Sequence, residues 1–382
     1  MSFIIFMKKI LILFLIVFCN NNAVLPQSAD DFLLVDQCML QIPTSSTLST
    51  TQIANYINKN FEKQTDKSRA IYIWITTNIS YDTKQTKIFY NPDDYADLIK
   101  NTLATRKGVC MNYALLFNDI ASKTGIKTFL VFGYTKQYEK IDIVNHVWCA
   151  AQIDSSWFLF DPTWGAGYVQ KGTFIRKLNN DYFKMTPQKS IKSHMPFDPL
   201  WQLSDYPITN QEFYCENLPD NKTRPYFNYR DSLAMHEQSS ELERAISSAR
   251  RIKRNGVVNS LISNRLQNIY EKIEYYEYEK TMNTIGTAVK YYNSSIENLN
   301  NVIENLNNKQ GLVTNYKELR NMLDLAANSL IMSEEKIKEI STTNAQANKS
   351  IQNLQESIKE VRNKIQQQRY YLQKMDIGNS MN

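Results

Sequence analysis

Beyond about Asp231 this chain has almost no Gly or Pro, and its apolar residues recur at alternating spacings of three and four. Such a stretch builds long helices and little else, because each helix carries one apolar stripe and nothing interrupts the backbone hydrogen bonding. The stripe passes through Tyr316, Leu319, Leu323, Ala326, Leu330, Ser333, Ile337, Ile340, Asn344, Ala347, Ile351, Leu354, Ile358, Val361, Ile365, Gln368, Leu372 and Met375 in one phase. An earlier run, Ile285, Val289, Tyr292, Ile296, Leu299, Ile303 and Leu306, has the same spacing, and 307–311 interrupts it. The pattern predicts two long helices folded back at that interruption. The alternative is a parallel coiled coil between two copies, with Asn344 and Gln368 in core positions fixing register and oligomeric state.

The composition shift divides the chain. We assign 1–27 to a signal peptide, 28–215 to a mixed helix-and-strand domain rich in aromatics, 216–230 to a linker, 231–376 to the helical region and 377–382 to a flexible tail. The first segment reads Met7-Lys8-Lys9, then the apolar run 10–19, then Asn20-Asn21-Asn22, which is the basic, apolar and polar order of an export signal. The apolar run falls short of the roughly 20 residues that cross a bilayer, so cleavage and export to the envelope or medium are expected over retention as an anchor. Phe18 before Cys19 is too large for a lipidated cysteine.

Within 28–215, apolar residues at helical spacing predict helices over 50–61 and 67–79. Gly108 precedes a third helix running from Cys110 to about Lys123, with Gly125 as its stop. Three strands are predicted over 127–134, 145–153 and 157–161, the last two joined by Asp154-Ser155. The expected architecture is α+β, with helices packed on an antiparallel sheet, followed by the all-α region. A two-residue connection pairs Ile153 with Ser156, which puts Trp148 opposite Asp161 and His146 diagonal to it on one face. An odd-length connection would turn His146 and Asp161 to opposite faces.

That register matters because a thiol attacks only as thiolate, which needs an imidazole within reach, and the imidazole needs an acceptor to fix its tautomer. Cys110, His146 and Asp161 supply these groups in order. Cys110 in the first turn of a helix has the positive end of the dipole and free N–H groups beside it. Arg106 and Lys107 lie just upstream, but loop charges are solvated and worth little. His194, before Met195-Pro196, competes as base but is expected in a loop with a structural role. Asp161 before Pro162 also suits a plain turn. Cys149, next to Trp148, should face away from His146, and Trp148, Trp157 and Trp164 are core or cleft aromatics.

Ala70-Ile71-Tyr72-Ile73-Trp74 leading to Asn78-Ile79-Ser80-Tyr81-Asp82, then Gly108-Val109-Cys110, His146-Val147-Trp148 and Asp161-Pro162-Thr163-Trp164, resemble the transglutaminase-like superfamily of papain-like proteins. The segment Asp181-Tyr182-Phe183, His194-Met195-Pro196 and Asp198-Pro199-Leu200-Trp201-Gln202 is similar to the tail of its kyphoscoliosis-peptidase branch. The resemblance covers about 50–205. It implies a papain/transglutaminase-like core and a Cys110–His146–Asp161 triad attacking amide bonds through an acyl-thioester, with hydrolysis slightly favoured over crosslinking. The partner would be a protein or peptide substrate. A catalytically inactive binding or scaffolding protein, assembled through its coiled coil, is the alternative. The oxyanion hole has the Cys110 N–H and no identified second donor; Trp74 is a neighbour only.

Other functions are disfavoured. The net charge of +6 falls by two without Lys8 and Lys9, and the remaining basic residues are scattered among acids, so nucleic acid is not indicated. With three histidines and no CxxC or HExxH, neither metal nor cofactor is expected. Cys38 and Cys215 flank the domain and could pair in an oxidising compartment, while Cys110 must stay free. Cell-envelope association and a homo-oligomer through the C-terminal helices remain open.

Overall fold

The computed structural model describes residues 32–85, 94–215, 224–307 and 316–380, with side chains as far as Met375. The signal-peptide segment 1–27, most of the 216–230 linker and most of the 307–311 interruption lie outside the described residues. The chain divides into two compact units. The described residues up to Leu233 together with Arg254–Ile262 form the first, and those of Ala234–Lys253 and Ser263–Asn382 the second.

The first unit begins with helices α1 (Leu33–Leu40), α2 (Thr50–Asn60) and α3 (Gln64–Asn78). Ser49 caps α2 by accepting the Gln52 N–H at 3.2 Å. Strand β1 (Ser80–Tyr81), helix α4 (Tyr95–Thr105), strand β2 (Lys107–Gly108) and helix α5 (Cys110–Lys123) follow. Next come β3 (Thr128–Gln137), β4 (Lys140–Ile153), β5 (Ser156–Phe160), the short helix α6 (Pro162–Ala166), and a hairpin of β6 (Gly167–Gln170) and β7 (Thr173–Arg176). The unit closes through α7 (Pro187–Ser190), β8 (His194–Pro196) and α8 (Asn210–Cys215). Arg254–Ile262 returns to it: the Asn210 side-chain N–H donates to Gly256 O at 2.6 Å and Asn259 Nδ2 to the Tyr214 hydroxyl at 2.9 Å.

The main sheet is antiparallel in the order β5-β4-β3-β8. Ile153 pairs with Ser156 and Cys149 with Phe160, the register expected from a two-residue connection. Asp154 and Ser155 both have positive φ, 48° and 66°, as a type I′ hairpin turn requires. The turn is held from outside as well, since Gln64 Oε1 accepts the Asp154 N–H at 2.9 Å. One face of the sheet, with Val147, Cys149, Ala151 and Phe160, packs on α5 and α3 in the main core, where the Phe117 and Phe160 rings stack at 4.9 Å. The other face, with Val131, Trp148, Ala150 and Leu159, is covered by Met185, Leu200 and Trp201. Burying each such large side chain stabilises the fold by about 1.5–3 kcal/mol.

His194 is in a strand, not in the expected loop. β8 pairs with β3 through Thr135↔His194, Tyr134↔Met195 and Gly133↔Pro196. Proline is tolerated because β8 is the edge of the sheet. A Cβ on Gly133 would lie 2.2 Å from Met195 O, so only glycine lets β8 approach. The four described cysteines are free, which corrects the pairing considered for Cys38 and Cys215. Cys38 Sγ lies 3.6 Å from the Tyr56 hydroxyl, while Cys215 is exposed at the end of α8.

The second unit contains α10 (Glu241–Arg254) up to Lys253, α11 (Ser260–Asn307) from Ser263, α12 (Tyr316–Lys338) and α13 (Ala345–Ser380); α9 (Tyr229–Gln238) crosses the boundary between units. Seam residues form most of its core: Leu299 and Leu306 of α11, Leu319, Leu323, Ala326 and Leu330 of α12, and Ile358, Val361 and Ile365 of α13, with Val302 fully buried in α11 where the seam had placed the partly buried Ile303. Ser333 donates from Oγ to Ala288 O at 2.8 Å, which satisfies a hydroxyl in that core. The expected unbroken helix over 316–375 is corrected: it stops at Lys338 and restarts at Ala345, so three helices pack where two were predicted. Ser341-Thr342-Thr343 compete with the helix for their own backbone groups. Asn344 is exposed and caps α13, its Oδ1 accepting the Ala347 N–H at 3.0 Å, so it does not fix register in the core. Among the described residues no helix is long and apolar enough to cross a membrane.

Candidate active site

Cys110 opens α5, with Val109 as N-cap. The Val109 N–H donates to Asn112 Oδ1 at 2.9 Å, and Asn112 Nδ2 donates to Thr102 Oγ1 at 2.7 Å. A Cβ on Gly108 would lie 2.4 Å from that of Asn112, so the glycine two residues before the thiol makes room for the side chain that fixes the helix start. The Asn112 N–H already donates to Val109 O at 2.9 Å, so the amides that a helix start leaves for a ligand beside the sulfur are those of Cys110 and Met111.

Asp161 follows β5 and precedes Pro162, and its two oxygens have separate tasks. Oδ1 caps α6, accepting the N–H groups of Thr163 at 2.9 Å and Trp164 at 3.2 Å. Oδ2 faces two imidazoles, His146 Nε2 at 2.8 Å and His194 Nε2 at 3.1 Å. Asp161 is therefore both the turn-former its Asp-Pro context suggested and a partner of His146. The carboxyl is fully buried; burial would raise its pKa, but both histidines hold it well below the usual range. An ionised carboxylate only accepts, so each ring donates from Nε2.

With Nε2 of His146 taken by Asp161, Nδ1 is the ring nitrogen that remains, and the Cys110 side chain is near enough to act on the charge of this imidazole. Burial works against the cation. The Asp161 charge and hydrogen bond, with the Cys110 contact, outweigh it and raise the His146 pKa from 6.5 to about 10. His194 moves the other way: burial lowers its pKa despite Asp161, and the nearby His146 adds to the decrease, so it is the neutral partner. Its Nδ1 accepts from Ser193 Oγ at 2.8 Å. Trp164 stands edge-on to His194 at 4.6 Å and lies 5.7 Å from His146.

Trp148 and Leu159 share one face of the sheet, and Cys149 and Phe160 the other. Cys149 is buried away from the imidazoles and donates from Sγ to Ala114 O at 3.3 Å. Trp74 is fully buried beneath the Arg106 guanidinium, 5.0 Å from its ring centre. Arg106 also donates to Thr47 Oγ1 at 2.9 Å, so its charge is engaged there. Tyr81 borders the site instead: burial, then the charges of Cys110 and Asp161, push its pKa up to about 12. The sequence places neither Tyr81 nor His194 at the site, and a three-residue strand such as His194–Pro196 carries no period that would have shown it.

His146, Asp161 and His194 bring three potential metal-ligand atoms within 4.8 Å of one another. The separations of 2.8 and 3.1 Å to one oxygen are those of hydrogen bonds, and an ion would have to part all three groups.

A thiol at a helix start, a histidine on β4 and an aspartate just past the end of the adjacent antiparallel strand β5 are arranged as in a papain-like thiol fold. Residues 51–162 match the family model of the transglutaminase-like superfamily, and this chain carries a transglutaminase-like core. It is 28% identical to mouse (Mus musculus) kyphoscoliosis peptidase over 214 residues, which are 54% of this chain and 31% of that protein. With the human (Homo sapiens) kyphoscoliosis peptidase it shares 31% identity over 185 residues, 46% of this chain and 27% of the relative. The chain thus spans less than a third of the length of these relatives. A crystal structure of a TGase aligns with a TM-score of 0.24 at 15% identity, over 45% of this chain and 41% of that one.

Proposed function

We propose that the first unit is a thiol hydrolase of amide or peptide bonds, acting through Cys110, His146 and Asp161. The observation that carries this reading is the pairing of His146 with a buried carboxylate, Nε2 to Asp161 Oδ2 at 2.8 Å, which leaves the second ring nitrogen for chemistry with a thiol at the start of α5. The raised His146 pKa favours the imidazolium, a proton donor for the leaving amine. Cys110 Sγ attacks the carbonyl carbon, and the tetrahedral oxyanion is held near the first-turn amides of α5. His146 gives its proton to the amine nitrogen as the C–N bond breaks, leaving an acyl-thioester on Cys110. Water then attacks, His146 takes its proton, and the acid leaves as the thiol is restored. Water is favoured over an amine as acceptor because it needs no second binding site. The name peptidase borne by the relatives agrees with this class.

The basic-then-apolar N-terminal segment would export the enzyme to the envelope or medium, and the helical unit would present it to a large target or to a second copy. The test offers the purified protein a mixed peptide library, with and without a primary amine, and follows both new amines and the mass of Cys110. Acyl-Cys110 and new termini in the protein, with neither in Cys110→Ala, are expected. Incorporated amine without hydrolysis would reassign the reaction to crosslinking. No adduct with any peptide would favour the inactive scaffold.

A further inference from the structure

We propose that His194 is a positioning residue of this reaction: a second N–H donor that shares Asp161 Oδ2 with His146, fixing the carboxylate and limiting how firmly it holds the His146 proton. The proposal rests on the thiol–imidazole reading above and adds to it a group outside the Cys110–His146–Asp161 set.

The geometry is convergent. Two rings from different strands, β4 and β8, reach the same oxygen at 2.8 and 3.1 Å, while the other oxygen serves two backbone amides. Asp161 is 0% exposed, so these four protein donors replace water. His194 is itself held rigidly. Its backbone is in the sheet edge, its ring meets Trp164 and Trp148 edge-on at 4.6 and 5.1 Å, and Ser193 satisfies Nδ1 at 2.8 Å. A ring there only to fill space would leave two nitrogens to be desolvated for nothing, and phenylalanine would pack as well. The titratable groups that face His194 are Asp161, His146 of β4, Tyr182, whose ring centre is 5.9 Å away, and Asp142 of β4.

The chemical consequence follows from competition for one acceptor. Were His146 the sole donor to Oδ2, the carboxylate would hold its imidazolium more tightly, and the proton needed by the leaving amine would be harder to release. A neutral second donor relieves this without cancelling the carboxylate charge. A cation at His194 would repel His146 and remove the imidazolium instead.

The test measures Cys110 alkylation by iodoacetamide across pH in the full chain, in wild type, His146→Ala, His194→Phe and His194→Gln, with peptide hydrolysis alongside. Dependence on His146 in wild type checks the underlying reading separately. Given that dependence, His194→Phe should move the alkaline limb of the profile up by about half a unit to one unit. It should also lower kcat about 10- to 100-fold with KM nearly unchanged. His194→Gln, whose amide N–H can reach the same oxygen, should recover most of both losses. An unmoved limb and unchanged kcat in His194→Phe would make the residue mere packing. Should that variant not fold, 15N-histidine NMR of the wild type decides: His194 protonated at Nε2 alone from about pH 5 to 9 supports the proposal, and protonation at Nδ1 overturns it.

Discussion

In the helical unit a residue's role follows from a spacing of three and four along its own helix, whereas in the first unit it follows from single partners 15 and 33 residues apart, His146 and His194 around Asp161. Two kinds of order thus share one chain: a periodic seam that tolerates change at any one layer, and a single carboxylate on which two strands and a helix cap converge. The difference teaches where sensitivity should lie. Removing a seam residue deletes one layer of contacts, but removing Asp161 disconnects both rings and uncaps α6.

The largest break in that comparison should come from Asp161→Asn. The amide offers a donor where both rings already donate, so His146 loses its tautomer and orientation. Hydrolysis is expected to fall about 10³- to 10⁴-fold, with weaker loss of stability, as measured by kcat and thermal melting. A seam change should be large in stability and null in chemistry: Leu330→Ala, buried between helices, should cost about 2–5 kcal/mol in urea unfolding of the helical unit while Cys110 alkylation stays unchanged.

The same contrast predicts different pH responses. His146 titrates near 10 in the fold against 6.5 in its absence, so folding favours its protonated form. That contribution is whole below pH 6.5 and is lost as pH rises through about 10. Asp161, lowered from 3.8, stabilises above that value and loses its contribution as pH falls below it. The first unit should therefore melt earlier at both extremes, and His146→Ala should remove the alkaline part of the dependence. The smallest effect belongs to the turn. Ser155→Gly relieves a serine held at φ 66° and should raise the melting free energy by up to about 1 kcal/mol, sharpening the register without altering reactivity.

Much of this was legible because local signals happened to set long-range geometry. Two residues between two strand patterns fixed the parity that puts His146 and Asp161 on one face, and Gly108 marked the start of the helix carrying Cys110. β8 was not legible: a three-residue edge strand containing proline has no period to read, and its pairing with β3 joins segments some 60 residues apart. His194 was misplaced for that reason. The seam misled in the opposite way. Ile340 and Asn344 keep the apolar phase across 339–344, but the capping capacity of Asn344 and the poor helix propensity of the serine and threonines decided the local backbone.

The account stands on one coupling, Cys110 to His146, and the most direct measurement is the rate of iodoacetamide labelling of Cys110, located by mass spectrometry, in the wild type and in His146→Ala. At about pH 6, where an ordinary thiol is almost wholly protonated, the wild type should label rapidly and His146→Ala at least about 10-fold more slowly. Equal, slow labelling in both proteins would contradict the thiolate–imidazolium pair and the catalytic reading with it.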